Sequence, residues 1–381
     1  MDKLSLAKSL EEIASLLESG ESLNKPTIAV TNFLSELGLD NVNNAINNVK
    51  DDANIIIVGE KFTDEFEYYE AKDDATNADV IENLFKEGKI DAAITMHYPF
   101  PIGVSTVGRV IAPANGKQVY VANTTGTNDT NREKAMVLNA IDGIIAAKAN
   151  GIENPTVGIL NVDSARVVEK KLNELKENGF DINFGSSQRA DGGAALRGND
   201  VLAASTDVIV CDSLTGNVLQ KVFSSFNSGG FYETTGSGYG PSIGEGFYTP
   251  VFIVSRASGT PVIESAIRYA IDSVKGNINQ VSKDVFASAK KAGLEDVLKS
   301  LEPKAAAASE STEEVKVPDK EIVNGSIGGI DILEIDDAIT AVHKAGIYAE
   351  SAMGCTGPVV MVNEAHIEEV KKVLQENNFI E

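Results

Sequence analysis

Short β-branched runs alternate with helix-period segments along most of this 381-residue chain, and that alternation is its strongest constraint. An apolar run of four to eight residues suits a strand covered on both faces, as in a parallel sheet. The candidate strands are Asn54–Val58, Ile90–Thr95, Gln118–Asn123, Thr156–Asn161, Asp207–Cys211 and Pro250–Ser255. Between them the helical period runs through Asn131–Ala149, Ser164–Asn178, Gly192–Ala204, Gly259–Val274 and Ser282–Leu301. Asn150-Gly151 and Asn178-Gly179 close two of these helices, since asparagine and glycine tolerate the left-handed turn at a helix end. The pattern predicts an α/β fold on a mainly parallel sheet.

The length allows about two or three domains of about 100–200 residues each. Met1–Asp51 reads as a helical N-terminal segment, amphipathic over Met1–Ser22 and Asn-rich over Asn41–Asn48. Charges at Lys3, Lys8, Glu11, Glu12 and Glu18 break any continuous apolar stretch, so a signal peptide is not expected. Asp52–Leu301 forms the α/β core. Glu302–Asn324 is rich in Ala, Ser, Glu and Lys and buries too little to offset its ordering entropy, which predicts a linker. Gly325–Glu381 is then a small tethered α/β module: helix Ile335–Ala345, loop Glu350–Pro358, strand Val359–Val362 and helix Glu364–Glu376, capped by Asn363.

Fifty-six acidic against thirty-three basic residues give a net charge of −23, which repels phosphate backbones and anionic lipid. No segment has the run of about 18 apolar residues that a membrane span needs, so a soluble, cytoplasmic protein is expected. Two cysteines, Cys211 and Cys355, cannot staple so long a chain and are read as free thiols. Neither belongs to a CxxC pair, and His97, His343 and His366 are scattered, so no metal site is expected.

Cys355 stands in Ser351-Ala352-Met353-Gly354-Cys355-Thr356-Gly357-Pro358. Flanking glycines leave its sulfur open to approach, the setting of a nucleophile; the alternative is a thiol packed as a small hydrophobe. His343 and His366, on helices either side, are candidate bases or ordinary surface histidines. Cys211 ends the apolar run Val208-Ile209-Val210 and is read as a core residue. The turn Asp212-Ser213-Leu214-Thr215-Gly216-Asn217 joins a strand to a helix, and Thr215, Gly216 and Asn217 are candidate anion binders or an ordinary β–α turn. The glycine-rich stretch Ser228–Gly246, with Gly238 near its middle, lacks a Walker lysine and reads as a mobile loop over an acyl or phosphoryl group, or as a plain flexible loop. Arg109, Arg189 and Arg197 lie beside glycines and are either anion holders or structural ion pairs.

The run Asp212-Ser213-Leu214-Thr215-Gly216-Asn217-Val218-Leu219-Gln220-Lys221, with the helix start Gly259-Thr260-Pro261-Val262-Ile263-Glu264, resembles the fatty-acid/phospholipid synthesis phosphate acyltransferases over about Ile90 to Ala289. The whole chain is similar to one branch, the alpha subunits of protein C of glycine/sarcosine/betaine reductases, which adds Ala352-Met353-Gly354-Cys355-Thr356-Gly357-Pro358. The resemblance implies a phosphate acyltransferase/phosphotransacetylase-type sheet. It further implies an acetyl group taken from a small selenoprotein onto Cys355 as a thioester, and release with inorganic phosphate as acetyl phosphate. A thiolase-like beta subunit and an oligomeric assembly are the implied partners, with no bound cofactor. The Asp-Ala-Met-Gly-Gly-Asp-like opening of the lipid-synthesis enzymes is absent here. The rival readings are a free-standing phosphate acyltransferase acting on acyl carrier protein and a non-catalytic scaffold for the beta subunit.

Overall fold

The computed structural model describes residues 25–188, 192–302, 317–330, 335–354, 357–377 and 379–380. It divides into two units, Met1–Glu302 and Pro303–Glu381.

In the first unit, β1 (Thr27–Thr31), β2 (Asn54–Gly59), β3 (Glu67–Glu70) and β4 (Ala92–Thr95) alternate with α1 (Leu39–Val49) and α2 (Asp74–Lys86). The chain then passes through β5 (Val104–Ile111) and β6 (Gln118–Thr127) into α3 (Arg132–Ala149). Next come β7 (Thr156–Leu160), α4 (Ala165–Glu177), β8 (Asn183–Phe184), β9 (Ala195–Leu196), α5 (Gly198–Leu202), β10 (Val208–Val210) and α6 (Ser213–Ser225). It closes with β11 (Gly240–Gly244), β12 (Val251–Ile253), α7 (Thr260–Lys275), α8 (Ile278–Lys291) and α9 (Leu294–Ser300).

One sheet runs in the order β3-β2-β1-β4-β12-β11-β5-β6-β10-β7-β8, with β9 also on β7. Pairing is parallel from β3 to β12 and from β6 to β8, so the sheet is mainly parallel, as the alternation predicts. The antiparallel steps are β12–β11, β11–β5 and β5–β6 at the centre. The two parallel runs therefore point in opposite directions along the pairing order. β11 welds them: Gly240 and Pro241 pair with β12, and Ser242 to Gly244 with β5.

Burial on both faces explains the apolar strands. Ile55, Ile56, Ile57 and Val58 of β2 are all buried, each worth about 1.5–3 kcal/mol. Helix α3 is apolar nearly all round and lies in the core; it starts at Asn131, whose side chain accepts from the Lys134 N–H. Among the described residues no helix is long and apolar enough to cross a membrane.

Three expectations need correction. The segment before Asp52 is not simply helical: Thr27-Ile28-Ala29-Val30-Thr31 is β1, paired on both sides in the sheet. Its five-residue run behind Pro26, four of the five β-branched, is the length of a strand, not of a helix. Gly192–Ala204 holds only β9 and the five-residue α5, because buried Asp200 accepts from the N–H groups of Gln188 and Arg197 and the hydroxyls of Ser187 and Ser205. The expected helix Ser282–Leu301 is two helices, α8 and α9, divided at Gly293 with φ +93°.

In the second unit, β13 (Gly325–Ile327), β14 (Ala349–Gly354) and β15 (Gly357–Val362) form an antiparallel sheet in the order β13-β15-β14. α10 (Ile335–Lys344) and α11 (Ile367–Glu376) supply Ala338, Val342, Val370 and Leu374 to its core beside Val360 and Val362. The expected loop Glu350–Pro358 is thus largely a hairpin, with Gly354 opposite Gly357. The small residues Ser351 and Ala352, without β-branched neighbours, hide its strand character from composition. Asn363 accepts from the Ala365 N–H at the start of the last helical segment, the cap expected of it.

Candidate functional site

The turn after β10 is built around Asp212. Its carboxylate caps α6, accepting from the Thr215 N–H at 3.0 Å and the Thr215 hydroxyl at 2.7 Å, and pairs with Arg132 at 3.0 Å. Burial acts to raise the Asp212 carboxyl, but the Thr215 bonds and the Arg132 charge outweigh it and hold the group below the usual range. This carboxylate already occupies the helix start where an anion was expected. Gly216 is buried because the helix lies against β6: a Cβ there would run into the Asn123 carbonyl oxygen. Asn217 donates to the Thr124 carbonyl at 3.0 Å. Gly216 and Asn217 therefore join α6 to β6, while Thr215 is held by the Asp212 cap. Gly216→Ala is expected to cost about 1–3 kcal/mol in denaturant unfolding, whereas a glycine that only contacts phosphate would leave stability unchanged.

Cys211 is fully buried, and burial, with Asp212 alongside, pushes its thiol well above the ordinary value. This is the core thiol that its sequence setting implies.

The glycine-rich stretch is no mobile cover along its second half. Residues 237–244 are buried and enter the sheet as β11. Gly238 has φ +69°, and a Cβ would stand 2.8 Å from the Ile253 carbonyl oxygen, so the glycine is needed for close approach to the β12 strand. Arg109 is buried too, 4.1 Å over the Tyr269 ring, and donates through Nε to Ser237 Oγ at 3.1 Å. It is a packing residue. Arg197 is exposed just after β9, about two strand spacings, or ~10 Å, from Asp212 along the sheet. Arg189 lies outside the described residues.

A second group of polar side chains gathers at the carboxyl ends of β1, β4 and β12. Within that parallel run the strand order reverses between β1 and β4, the kind of position where open α/β sheets bind ligands. Beneath it a buried chain links Thr31 Oγ1 to Asn77 (2.7 Å), Asn77 to Thr95 Oγ1 (3.0 Å), and Thr95 to the His97 carbonyl (3.2 Å). Above it Arg256 pairs with Asp74 at 3.0 Å, and His97 stands 3.8 Å from the same carboxylate. From α6, Lys221 reaches Ser255 Oγ at 2.8 Å and the buried Glu233 at 2.8 Å. Glu233 also accepts from Tyr239 Oη (2.8 Å) and Ser258 Oγ (2.6 Å).

Lys221 and Arg256 are each about half exposed, so this crevice presents two cations to solvent in a strongly acidic chain. Lys221 follows Asn217 by four residues, ~6 Å, along α6, and Asp212 by nine, ~13 Å. Lys221, Glu233 and Arg256 were not singled out as site residues. Ser255-Arg256 immediately after an apolar strand was the available signal, because charged residues at strand carboxyl ends point into such crevices.

In the second unit, His343 Nε2 lies 3.1 Å from the Ala349 carbonyl oxygen and its ring stacks on Tyr348. His366 lies between Glu321 and Glu369, 3.7 Å from each. Both histidines belong to the Ala349–Val362 end of the hairpin. The Gly354–Gly357 end is five residues, ~16 Å, away along an extended strand. Cys355 and Thr356 lie outside the described residues.

A family model described as a fatty acid synthesis protein matches residues 27–361. The chain belongs to the fatty acid synthesis protein family. One family relative, the glycine/sarcosine/betaine reductase complex component C subunit alpha of Peptoclostridium acidaminophilum, is 48% identical over 99% of both chains. A phosphate acyltransferase of Clostridioides difficile (strain 630) is 28% identical over 36% of this chain and 44% of its own. Among solved structures, a branched-chain phosphotransacylase from Enterococcus faecalis V583 is similar over 65% of this chain and 99% of that one, at TM-score 0.48 and 17% identity.

Proposed function

We propose that this member of the fatty acid synthesis protein family carries an acetyl group on Cys355 as a thioester and releases it with inorganic phosphate as acetyl phosphate. It does so as a component of a glycine reductase-type complex, with a small selenoprotein as acetyl donor and a thiolase-like beta subunit beside it. The observation that carries the reading is the 48% identity to a component C alpha subunit over 99% of each chain, which spans the second unit as well as the first. The partial match to phosphate acyltransferases supports the phosphate step.

The chemistry is a two-step transfer. The Cys355 thiolate adds to the carbonyl carbon of the ketene-like acetyl equivalent that the selenoprotein releases; the C–S bond forms as the C=C π bond breaks, and the methylene carbon takes up a proton to become the acetyl methyl. A phosphate oxygen then attacks the carbonyl carbon, the C–S bond breaks, and the thiol regains the proton that phosphate gives up. Lys221 and Arg256 are the proposed phosphate holders, since both are accessible cations at a strand-end crevice. Arg189 and Arg197 remain proposals for the same role, and no bound cofactor is required. Cys211 is a poor nucleophile because its thiol is buried and held protonated.

The test is to incubate the full chain with acetyl phosphate labelled in the acetyl group and map the labelled peptide. Label is expected on Cys355, lost in Cys355→Ala and retained in Cys211→Ala. Label on Cys211, or on no cysteine, would overturn the proposal and favour the acyl carrier protein or scaffold readings.

A further inference from the structure

His97 follows β4 into the strand-end crevice, just beyond Thr95. Its backbone is held from below: Thr95 Oγ1 donates to the His97 carbonyl at 3.2 Å and itself accepts from Asn77 Nδ2 at 3.0 Å. Asn77 lies in α2 three residues after Asp74, so one face of that helix carries both this anchor and the carboxylate beside the ring. His97 Nδ1 is 3.8 Å from Asp74 Oδ2, the oxygen that accepts from Arg256 at 3.0 Å. A single carboxylate thus stands between an exposed imidazole and a proposed phosphate holder. The other Asp74 oxygen, Oδ1, is buried and has no donor among the described residues.

We infer, on the acetyl-thioester reading proposed above, that His97 is the general base of the phosphate step and that Asp74 orients its ring. Inorganic phosphate near neutrality carries a proton that an acyl phosphate does not keep, so that proton has to leave as the C–O bond forms. It passes from the attacking phosphate to His97 Nε2 while the C–S bond breaks. The imidazolium then gives it to solvent, and the departing thiolate takes up a proton from there. Atoms and charge balance with no oxidant or reductant.

The other crevice groups are already committed. Glu233 is buried and engaged by Lys221, Tyr239 and Ser258. Asp74 is engaged by Arg256, and Lys221 and Arg256 are cations at neutral pH. Among the described crevice residues His97 alone is exposed and of a type that gains and loses a proton near neutrality. His343 and His366 belong to the second unit. Asp74 is the one carboxylate within 4 Å of the His97 ring among the described residues, and it stands on the Nδ1 side, which leaves Nε2 for substrate. A carboxylate on one ring nitrogen and a substrate proton on the other is the arrangement that sets an imidazole's tautomer for proton transfer. Such contacts are commonly long until substrate is seated.

Single-turnover release of label tests this role: the full chain is acetylated with acetyl phosphate labelled in the acetyl group and then chased with inorganic phosphate. His97→Gln is expected to slow release by about 100-fold or more. At a fixed concentration of phosphate dianion, it should also remove the wild type's rise in rate across about pH 5.5–7.5, where the base loses its proton. The half-saturating phosphate concentration should stay within about twofold of wild type, since Lys221 and Arg256 still hold the anion. His97→Ala should regain at least about tenfold in rate with added imidazole, a response that a merely structural residue would not give. Melting of both variants should stay close to wild type, because the ring is exposed. Release at the wild-type rate, an unchanged pH profile, or no response to imidazole would each overturn this role of His97, while label on Cys355 would leave the proposed function standing. A wild-type chain that takes no label on Cys355 would overturn both.

Discussion

Asp142→Asn should abolish a loss of stability of about 4 kcal/mol that the wild type suffers as pH rises from about 4 to about 7. Asp142 lies in α3, fully buried, and burial pushes its carboxyl up to about 7, although Asn128 and Ser105 pull the other way. Its Oδ2 accepts from Asn128 Nδ2 at 2.6 Å and Ser105 Oγ at 2.9 Å, and its buried Oδ1 has no partner among the described residues. Between the ordinary aspartate value of 3.8 and about 7 the folded chain holds a proton that the unfolded chain has released. Stability therefore falls with rising pH across that window and levels off above it. Carboxylates held low, such as Asp207 and Asp212, contribute in the opposite sense and below 3.8, outside the window. Denaturant unfolding of both proteins at several pH values reads the difference; parallel curves would refute it.

The network around Asp142 also fastens the strand ends. Asn128 bonds Asn139, and Asn139 donates to the Cys211 carbonyl at 2.9 Å, so α3, the end of β6 and the end of β10 move as one. Destabilising it should be felt at the Asp212 cap, two side chains away.

How far the sequence could be read depended on whether the cause was local. The parallel strands were legible because burial on both faces leaves long apolar runs such as Asn54–Val58 and Asp207–Cys211. β11 was not, since Gly240-Pro241-Ser242-Ile243-Gly244 has poor strand propensity and becomes a strand through close contact with β5 and β12. The buried state of Cys211 followed from the apolar run that precedes it. Gly216 was read as an anion binder or an ordinary turn residue and Gly238 as part of a mobile loop, and a Cβ at either would meet protein backbone, which only the tertiary fold reveals. Glu233 gives no sign in sequence, because a buried carboxylate is explained only by partners brought from elsewhere, here Lys221, Tyr239 and Ser258.

Glu233 is accordingly where a single change should do most to the crevice. Glu233→Ala removes the acceptor for Tyr239 Oη and Ser258 Oγ, both on buried residues, at about 1–3 kcal/mol each. Lys221 keeps its bond to Ser255 Oγ and half its exposure, so its charge stays solvated and adds little to the loss. The total expected from denaturant unfolding is therefore about 2–6 kcal/mol. Glu233→Gln keeps an acceptor oxygen in place and should retain most of that stability, while taking away the counter-charge that holds Lys221. If Lys221 holds phosphate as proposed, the Gln variant should change the KM for phosphate more than it changes the melting temperature. An Ala variant within about 0.5 kcal/mol of wild type would show that the cluster does not hold the crevice together. A Gln variant with unchanged phosphate KM would separate Glu233 from the chemistry and leave it a packing residue.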